Sequence, residues 1–469
     1  MNYVRLISDE PCIDLEQVPA LKPLIEQIGN AIAFSETPLV VGVHGDWGSG
    51  KTSFLHYLQY WLTGTCPQNA GTTKLGKKEG HPHLAPIWFE AWRYQHESAP
   101  VVALLHEIRS QLSFRQKLFG GVTKLSEVAV RGALLSVEDV TKKIGFQASK
   151  IQSAGESWER ENLAITLPSN QLRELLDKAL GDLLGQSRDK ETKGRIDRRL
   201  VIFIDDLDRC EPETAYRLLE GIKIYLNLRR CVFVLGLNQR EVERALAKVI
   251  PSESGADLRN EARIRAQEYL EKICANVWHL PLLANGDQIR LLKSWLTPAL
   301  LPEDVLDTLI ELIKDFDFLP PNIRRLKAFA NNLARFFQRL NNPERDASVT
   351  IDILAIASYL QQFHPRIWRL IECEPSFYQE LRAYVRGTLN KRPTPKDRLP
   401  EDSDLHPALA ELVLPYVRGS LLPAAGETSR SSTPLSSFAD RSYGHVLHAQ
   451  WLIADTTIPV TLLRKCIGC

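Results

Sequence analysis

The residues best equipped for chemistry stand together as Gly45-Asp46-Trp47-Gly48-Ser49-Gly50-Lys51-Thr52, with Ser53 next. Their spacing is G-x-x-x-x-G-K-[ST], the pattern of a loop that wraps phosphate. The glycines let the backbone turn through conformations closed to other residues and bring its N–H groups against phosphate oxygens. Lys51 adds a point charge at the outer phosphates, and Thr52 offers a hydroxyl to Mg²⁺. The expected nucleotide-binding set is Gly45, Asp46, Trp47, Gly48, Ser49, Gly50, Lys51, Thr52 and Ser53.

A second group follows the apolar run Leu200-Val-Ile-Phe-Ile204, where Asp205, Asp206 and Asp208 arrive in quick succession. A metal beside a phosphate loop has to be held at the carboxyl end of a neighbouring strand. Asp205 is expected to bind Mg²⁺ through water, together with Thr52, and Asp206 or Asp208 to polarise the attacking water. Asp206 is the preferred base. A lone acid after a strand is commonly just a helix cap, but three acids downstream of a complete phosphate loop read as a site. Asn238 ends another apolar strand, Cys231–Leu237. Its amide suits a sensor of the terminal phosphate or of the lytic water, and equally suits a plain turn at a strand end.

These side chains need a sheet to hold them. Pro38–Val43, Pro86–Trp92, Arg199–Asp205, Cys231–Leu237 and Asn276–Leu280 read as strands, separated by segments of helical spacing. Apolar runs this continuous belong to parallel strands covered on both faces. The expected fold is α/β, a three-layer core with a mainly parallel five-stranded sheet followed by an α-helical C-terminal domain. A helix is expected before the first strand, ending near Phe34, either over the nucleotide base or simply packed. Residues 1–285 form the expected core, with a helical insertion at 113–198. Residues 286–388 form the helical domain, and 389–469 a linker with a small C-terminal extension. Thr63–Pro86 and Gly185–Arg198 read as loops.

Composition narrows the function. The 469 residues are 44% hydrophobic and 25% charged, which is globular, and the net charge of +1 creates no global field for nucleic acid or anionic membrane. Arg229-Arg230 and Lys190–Arg199 are local basic runs, more often a solvated face than a nucleic-acid patch. The eight cysteines are scattered, several within apolar runs, where reduced core thiols are expected; Cys466 and Cys469 alone have a pair spacing. His81 and His83 lack a neighbouring carboxylate or cysteine and are expected to be solvated rather than metal-bound. No signal peptide and no uncharged apolar run of bilayer length is present, so a cytoplasmic protein without a transmembrane segment is expected.

With these residues in view, the chain resembles the KAP P-loop NTPases from about residue 15 to 385. The tryptophan-containing loop Gly45–Thr52, Trp88-Phe-Glu-Ala-Trp92, Phe203-Ile-Asp-Asp-Leu-Asp-Arg-Cys210 with Pro212-Glu213, and Tyr269-Leu-Glu-Lys-Ile273 carry the resemblance. The Asn322/Arg324/Lys327/Asn331 spacing is a fifth, weaker match. The resemblance implies ATP rather than GTP, Mg²⁺, and hydrolysis coupled to a conformational or assembly switch, in a branch where phage-exclusion factors occur. A slowly hydrolysing, nucleotide-gated scaffold and, further off, a nucleic-acid translocase are the alternatives. Glu90 departs from the family, which commonly has Asn there, and residues 113–170 carry too many charges for the transmembrane helices that many members insert. Beyond ATP, a partner protein or further copies of the chain are expected. Arg324 is a candidate sensor within the chain, and Arg263 and Arg265 are candidates for a finger supplied by a neighbouring subunit.

Overall fold

The computed structural model describes residues 6–11, 18–65, 80–96, 100–119, 177, 180, 181, 184, 186–188, 195–225, 228–250, 258–296, 301–340, 350–373, 375–379, 381, 382 and 453. The chain divides into two compact units, one of Pro11–Leu15 with Ala20–Pro281, the other of Met1–Glu10, Glu16–Pro19 and Leu282–Cys469.

The first unit is built on a five-stranded sheet. Its strands are β1 (Leu39–His44), β2 (Leu84–Glu90), β5 (Arg199–Asp205), β6 (Cys231–Leu237) and β7 (Asn276–His279), in the order β2-β5-β6-β1-β7. Every pairing in it is parallel. All seven residues of β6 and the last six of β5 are buried, as expected where helices cover both faces of a sheet. The covering helices are α1 (Lys22–Phe34), α2 (Lys51–Thr63), α3 (Pro100–Phe119), α4 (Pro212–Tyr225), α5 (Gln239–Val249) and α6 (Leu258–Ile273). Each fully buried Phe, Ile or Leu in the core contributes about 2 kcal/mol. Gly29 of α1 lets the ring of Trp61 lie against the helix backbone, since a Cβ there would meet Trp61 Cζ3 at 2.4 Å.

The structure departs from the sequence reading in several places. Gly185–Arg198 contains a small antiparallel pair, β3 (Gln186–Arg188) with β4 (Arg195–Asp197). Polar strands of three residues carry too little periodicity to be seen in sequence. His83 is buried at 8% exposure, and His81 packs edge-on to Phe34, so their imidazoles serve packing rather than solvent. In agreement with the sequence reading, Cys210, Cys231 and Cys274 are buried free thiols, their pKa pushed up to about 12 by burial. The central part of the expected insertion, residues 120–176, lies outside the described residues, as do Cys466 and Cys469. Of residues 389–469, only Ile453 is described.

The second unit contains α7 (Asn285–Trp295), α8 (Glu303–Phe316), α9 (Ile323–Leu340), α10 (Ile351–Phe363) and α11 (Pro365–Cys373). Nine residues of α10 are buried, making it the central helix of the unit. In α9, buried Leu326, Phe329, Ala330, Leu333, Ala334 and Phe337 recur at three- and four-residue steps, an apolar stripe on one face. Asn322 caps α9, its Oδ1 accepting the Arg325 N–H at 3.1 Å. Among the described residues no helix is long and apolar enough to cross a membrane.

Candidate nucleotide site

The carboxyl ends of β1, β5 and β6 converge on the phosphate loop. β1 runs into Gly45, whose N–H donates to the Leu237 carbonyl at the end of β6 (3.2 Å). Gly48 and Gly50 hold φ of 79° and 93°, left-handed conformations that a side chain would strain. Gly50 stands at the N-cap of α2, and Lys51 is its first residue, so a phosphate held by the loop would meet the positive end of that helix. A Cβ at Gly45 would come within 2.5 Å of Ser49 Oγ.

Lys51 is 7% exposed and folded inward. Its Nζ donates to the Gly45 carbonyl at 2.6 Å and stands 3.8 Å from Asp208 Oδ2. Burial lowers its pKa, with Asp208 and then Asp205 opposing. Thr52 Oγ1 donates to Asp205 Oδ2 at 2.7 Å, joining the loop to the end of β5. Asp205 is 2% exposed and its Oδ1 has no hydrogen-bond partner among the described residues. Burial, and next the neighbouring Asp206, raise its pKa to about 7, while Thr52 pulls it down.

Asp206 takes a left-handed backbone conformation, φ 59°, and its Oδ1 lies 2.9 Å from Arg209 Nε. Its pKa is raised, mainly by burial, against the pull of Arg209. Asp208 lies in the turn that follows, and its Oδ2 accepts the indole N–H of Trp47 at 2.6 Å. That contact was not legible in the sequence, although a tryptophan inside a phosphate loop is an unusual choice. Asn238 donates from Nδ2 to Asp46 Oδ1 at 3.4 Å, and its own Oδ1 is buried without a partner among the described residues. It precedes α5 without a side-chain cap. His44, which sequence reasoning passed over, accepts the Gln239 N–H on Nδ1 at 2.9 Å and so ties the β6–α5 junction to the strand that feeds the loop. Glu90 ends β2 opposite Asp205 and pairs with Arg93.

The structure therefore brings together Gly45–Thr52, Asp205, Asp206, Asp208 and Asn238. Arg324 belongs to the second unit, where its Nε lies 3.3 Å from Asp9 Oδ2. Arg265 pairs along α6 with Glu261 at 2.8 Å, and Arg263 is exposed on the same helix. Arg229 and Arg230 face Asp177 and Asp197, at 3.9 and 3.3 Å, so these cations have acidic neighbours.

The residues present fit a nucleotide and a divalent cation. Ser49 Oγ, Asp205 Oδ1, Asp208 Oδ1 and Asn238 Oδ1 are all buried polar atoms without partners among the described residues, and such atoms are normally satisfied. Among the described residues there is no cluster of three or more His, Cys, Asp or Glu placed to hold a metal. Mg²⁺ asks for less, keeping several waters and taking one or two protein oxygens with the phosphates.

A sequence model of the KAP family P-loop domain matches residues 21–340. The chain belongs to the KAP family of P-loop NTPases. Within that family context, this KAP chain is similar to the phage T7 exclusion protein of Escherichia coli K12, at 23% identity over 320 residues, covering 58% of this chain. The chain spans 39% of that relative's length. Among solved structures, the Aeropyrum pernix ORC2 protein in its ADPNP–ADP complexes is similar at 12% identity and a TM-score of 0.35, over 96% of this chain and 93% of that one. Drosophila ORC bound to DNA is similar at 13% identity and a TM-score of 0.26, over 96% and 86%.

Proposed function

We propose that this KAP chain binds ATP with Mg²⁺, hydrolyses it, and uses the change of nucleotide to switch conformation or assembly. The observation that supports this best is the Thr52–Asp205 hydrogen bond of 2.7 Å, with the second oxygen of Asp205 buried beside it and without a partner among the described residues. In this reading Gly45–Ser53 wrap the phosphates and Lys51 neutralises the outer ones. Thr52 and Asp205 would hold Mg²⁺, which supplies charge neutralisation at the phosphates when bound. Asp206 accepts the proton of the attacking water, and its raised pKa suits a base. Asn238 orients that water or the terminal phosphate. Arg324 senses nucleotide state; its ion pair with Asp9 is exposed and worth little.

The arrangement of the acids also supports a slower device. Asp206 is engaged by Arg209, and Asp208 by Trp47 and Lys51, so neither is free to act until those contacts rearrange. A slowly hydrolysing switch that recruits a partner in one nucleotide state fits that geometry, and the similarity to a phage exclusion protein makes anti-phage defence the setting to test.

Lys51→Ala should abolish hydrolysis with an unchanged circular dichroism spectrum, and normal turnover by that variant would reject the site. ATP should be displaced poorly by GTP. In a bacterial host, Asp205→Ala should lose any phage resistance that the parent chain confers; equal plaque counts would separate defence from ATP hydrolysis.

A further inference from the structure

Arg324, Lys327 and Asn331 lie at steps of three and four along α9, hence on one face. All three contact one short segment, Ile7–Glu10, and nearly all of those contacts are to its main chain. The Asn331 carboxamide takes both main-chain groups of Ile7: Oδ1 accepts the N–H at 2.8 Å, and Nδ2 donates to the carbonyl at 3.1 Å. Lys327 Nζ donates to the carbonyls of Ser8 and Glu10, both at 2.9 Å. Arg324 meets the Asp9 carboxylate at 3.3 Å, the only side chain of the segment in these contacts.

This is the chemistry of a peptide reader. A carboxamide that bonds the N–H and C=O of one residue matches any extended backbone, whatever its side chain. Lys327 is 8% exposed, and a buried ammonium needs acceptors in place of water; peptide carbonyls supply them. The half-exposed Arg324 adds little energy but favours a carboxylate at one position. We infer that this face of α9 is a binding site for an extended peptide with a carboxylate two residues beyond the clamped one. The chain's own residues 7–10 are the ligand it holds. The Asn322/Arg324/Lys327/Asn331 spacing then has a use besides the nucleotide sensing proposed for Arg324: Asn322 caps the helix, Asn331 and Lys327 hold the backbone, and Arg324 selects the acid. Tethering places the arm at an effective concentration of about millimolar, so another segment enters only by outcompeting it.

Amide hydrogen exchange on the full chain tests the inference. The Ile7 amide should be protected, and Asn331→Leu should speed its exchange by about tenfold, the equivalent of one hydrogen bond's contribution to local opening. Asn331→Asp keeps the acceptor for that N–H and should retain much of the protection, which guards against a general loss of folding in the leucine variant. Ile7→Val should change little, because the clamp reads the backbone; Ser8→Ala is no such control, since Ser8 Oγ accepts the Glu10 N–H at 3.2 Å. A peptide of residues 6–11 added at about millimolar concentration should release the arm, and the same peptide carrying Asp9→Lys should do so less. An unprotected Ile7 amide in the parent chain would overturn the assignment. So would an Ile7→Val effect as large as that of Asn331→Leu, or a peptide without effect.

Discussion

His56 sits on α2 at 2% exposure, with its Nδ1 buried and unpartnered among the described residues and its ring 4.4 Å from that of Trp88. Burial lowers its pKa to about 4. The folded chain thus keeps this imidazole neutral while the unfolded chain protonates it near 6.5. A depressed histidine pKa leaves stability intact above 6.5 and erodes it as pH falls from 6.5 toward 4, by up to about 1.4 kcal/mol per pH unit. His56→Phe should remove that slope, so urea midpoints of the two proteins should diverge below pH 6.5 in favour of phenylalanine. Parallel curves would show the imidazole to be hydrated in the folded state. Asp206 is a second residue held against local preference. An Asp at φ 59° costs about 1 kcal/mol that glycine does not. Asp206→Gly should therefore leave stability unchanged or raise it by up to about 1 kcal/mol while lowering hydrolysis. Loss of stability with hydrolysis retained would remove Asp206 from the chemistry and leave Asp208.

At the scale of elements, β5 and β6 act together. Gly236 of β6 lies beside the end of β5, and a Cβ there would stand 2.8 Å from Asp205 Oδ1 and 2.6 Å from Leu55 Cδ1. The absent side chain makes room for the carboxylate. Gly236→Ala should cost about 1–3 kcal/mol through overpacking, and should weaken Mg²⁺-dependent nucleotide binding more than nucleotide binding in EDTA. Calorimetric titration of both forms checks this; an equal loss in each would mean that the methyl displaces Leu55 alone. His44 belongs to the same scale, since its bond to the Gln239 N–H links the loop-bearing strand to the helix that follows Asn238.

At the scale of the whole molecule, the proposed hydrolysis calls for positive charge at the γ-phosphate beyond that of Lys51. Arg263 and Arg265 are on the surface of α6, and the Arg265–Glu261 pair is half exposed and weak. If a neighbouring copy supplies either arginine, hydrolysis per chain should rise with protein concentration. A chain with both arginines replaced by alanine should then be rescued by mixing with Lys51→Ala chains. Rates independent of concentration, without rescue, would assign the charge to Arg324 or to a partner protein.

The phosphate loop, the acid-tipped strand and the five-stranded parallel sheet were legible in the sequence, because each writes its physics locally. Left-handed glycines need no neighbour to declare them, and a short apolar run rich in β-branched and aromatic residues, such as Leu200–Ile204, favours a covered strand. Pairings across long separations had no such signature. Thr52 meets Asp205 across 153 positions, Trp47 meets Asp208 across 161, and Ile7 meets Asn331 across 324. A carboxylate looks the same in sequence whether it awaits a metal, an indole or an arginine. Only packing decides among those partners, because the cost of burying a charge depends on which groups the fold carries to it.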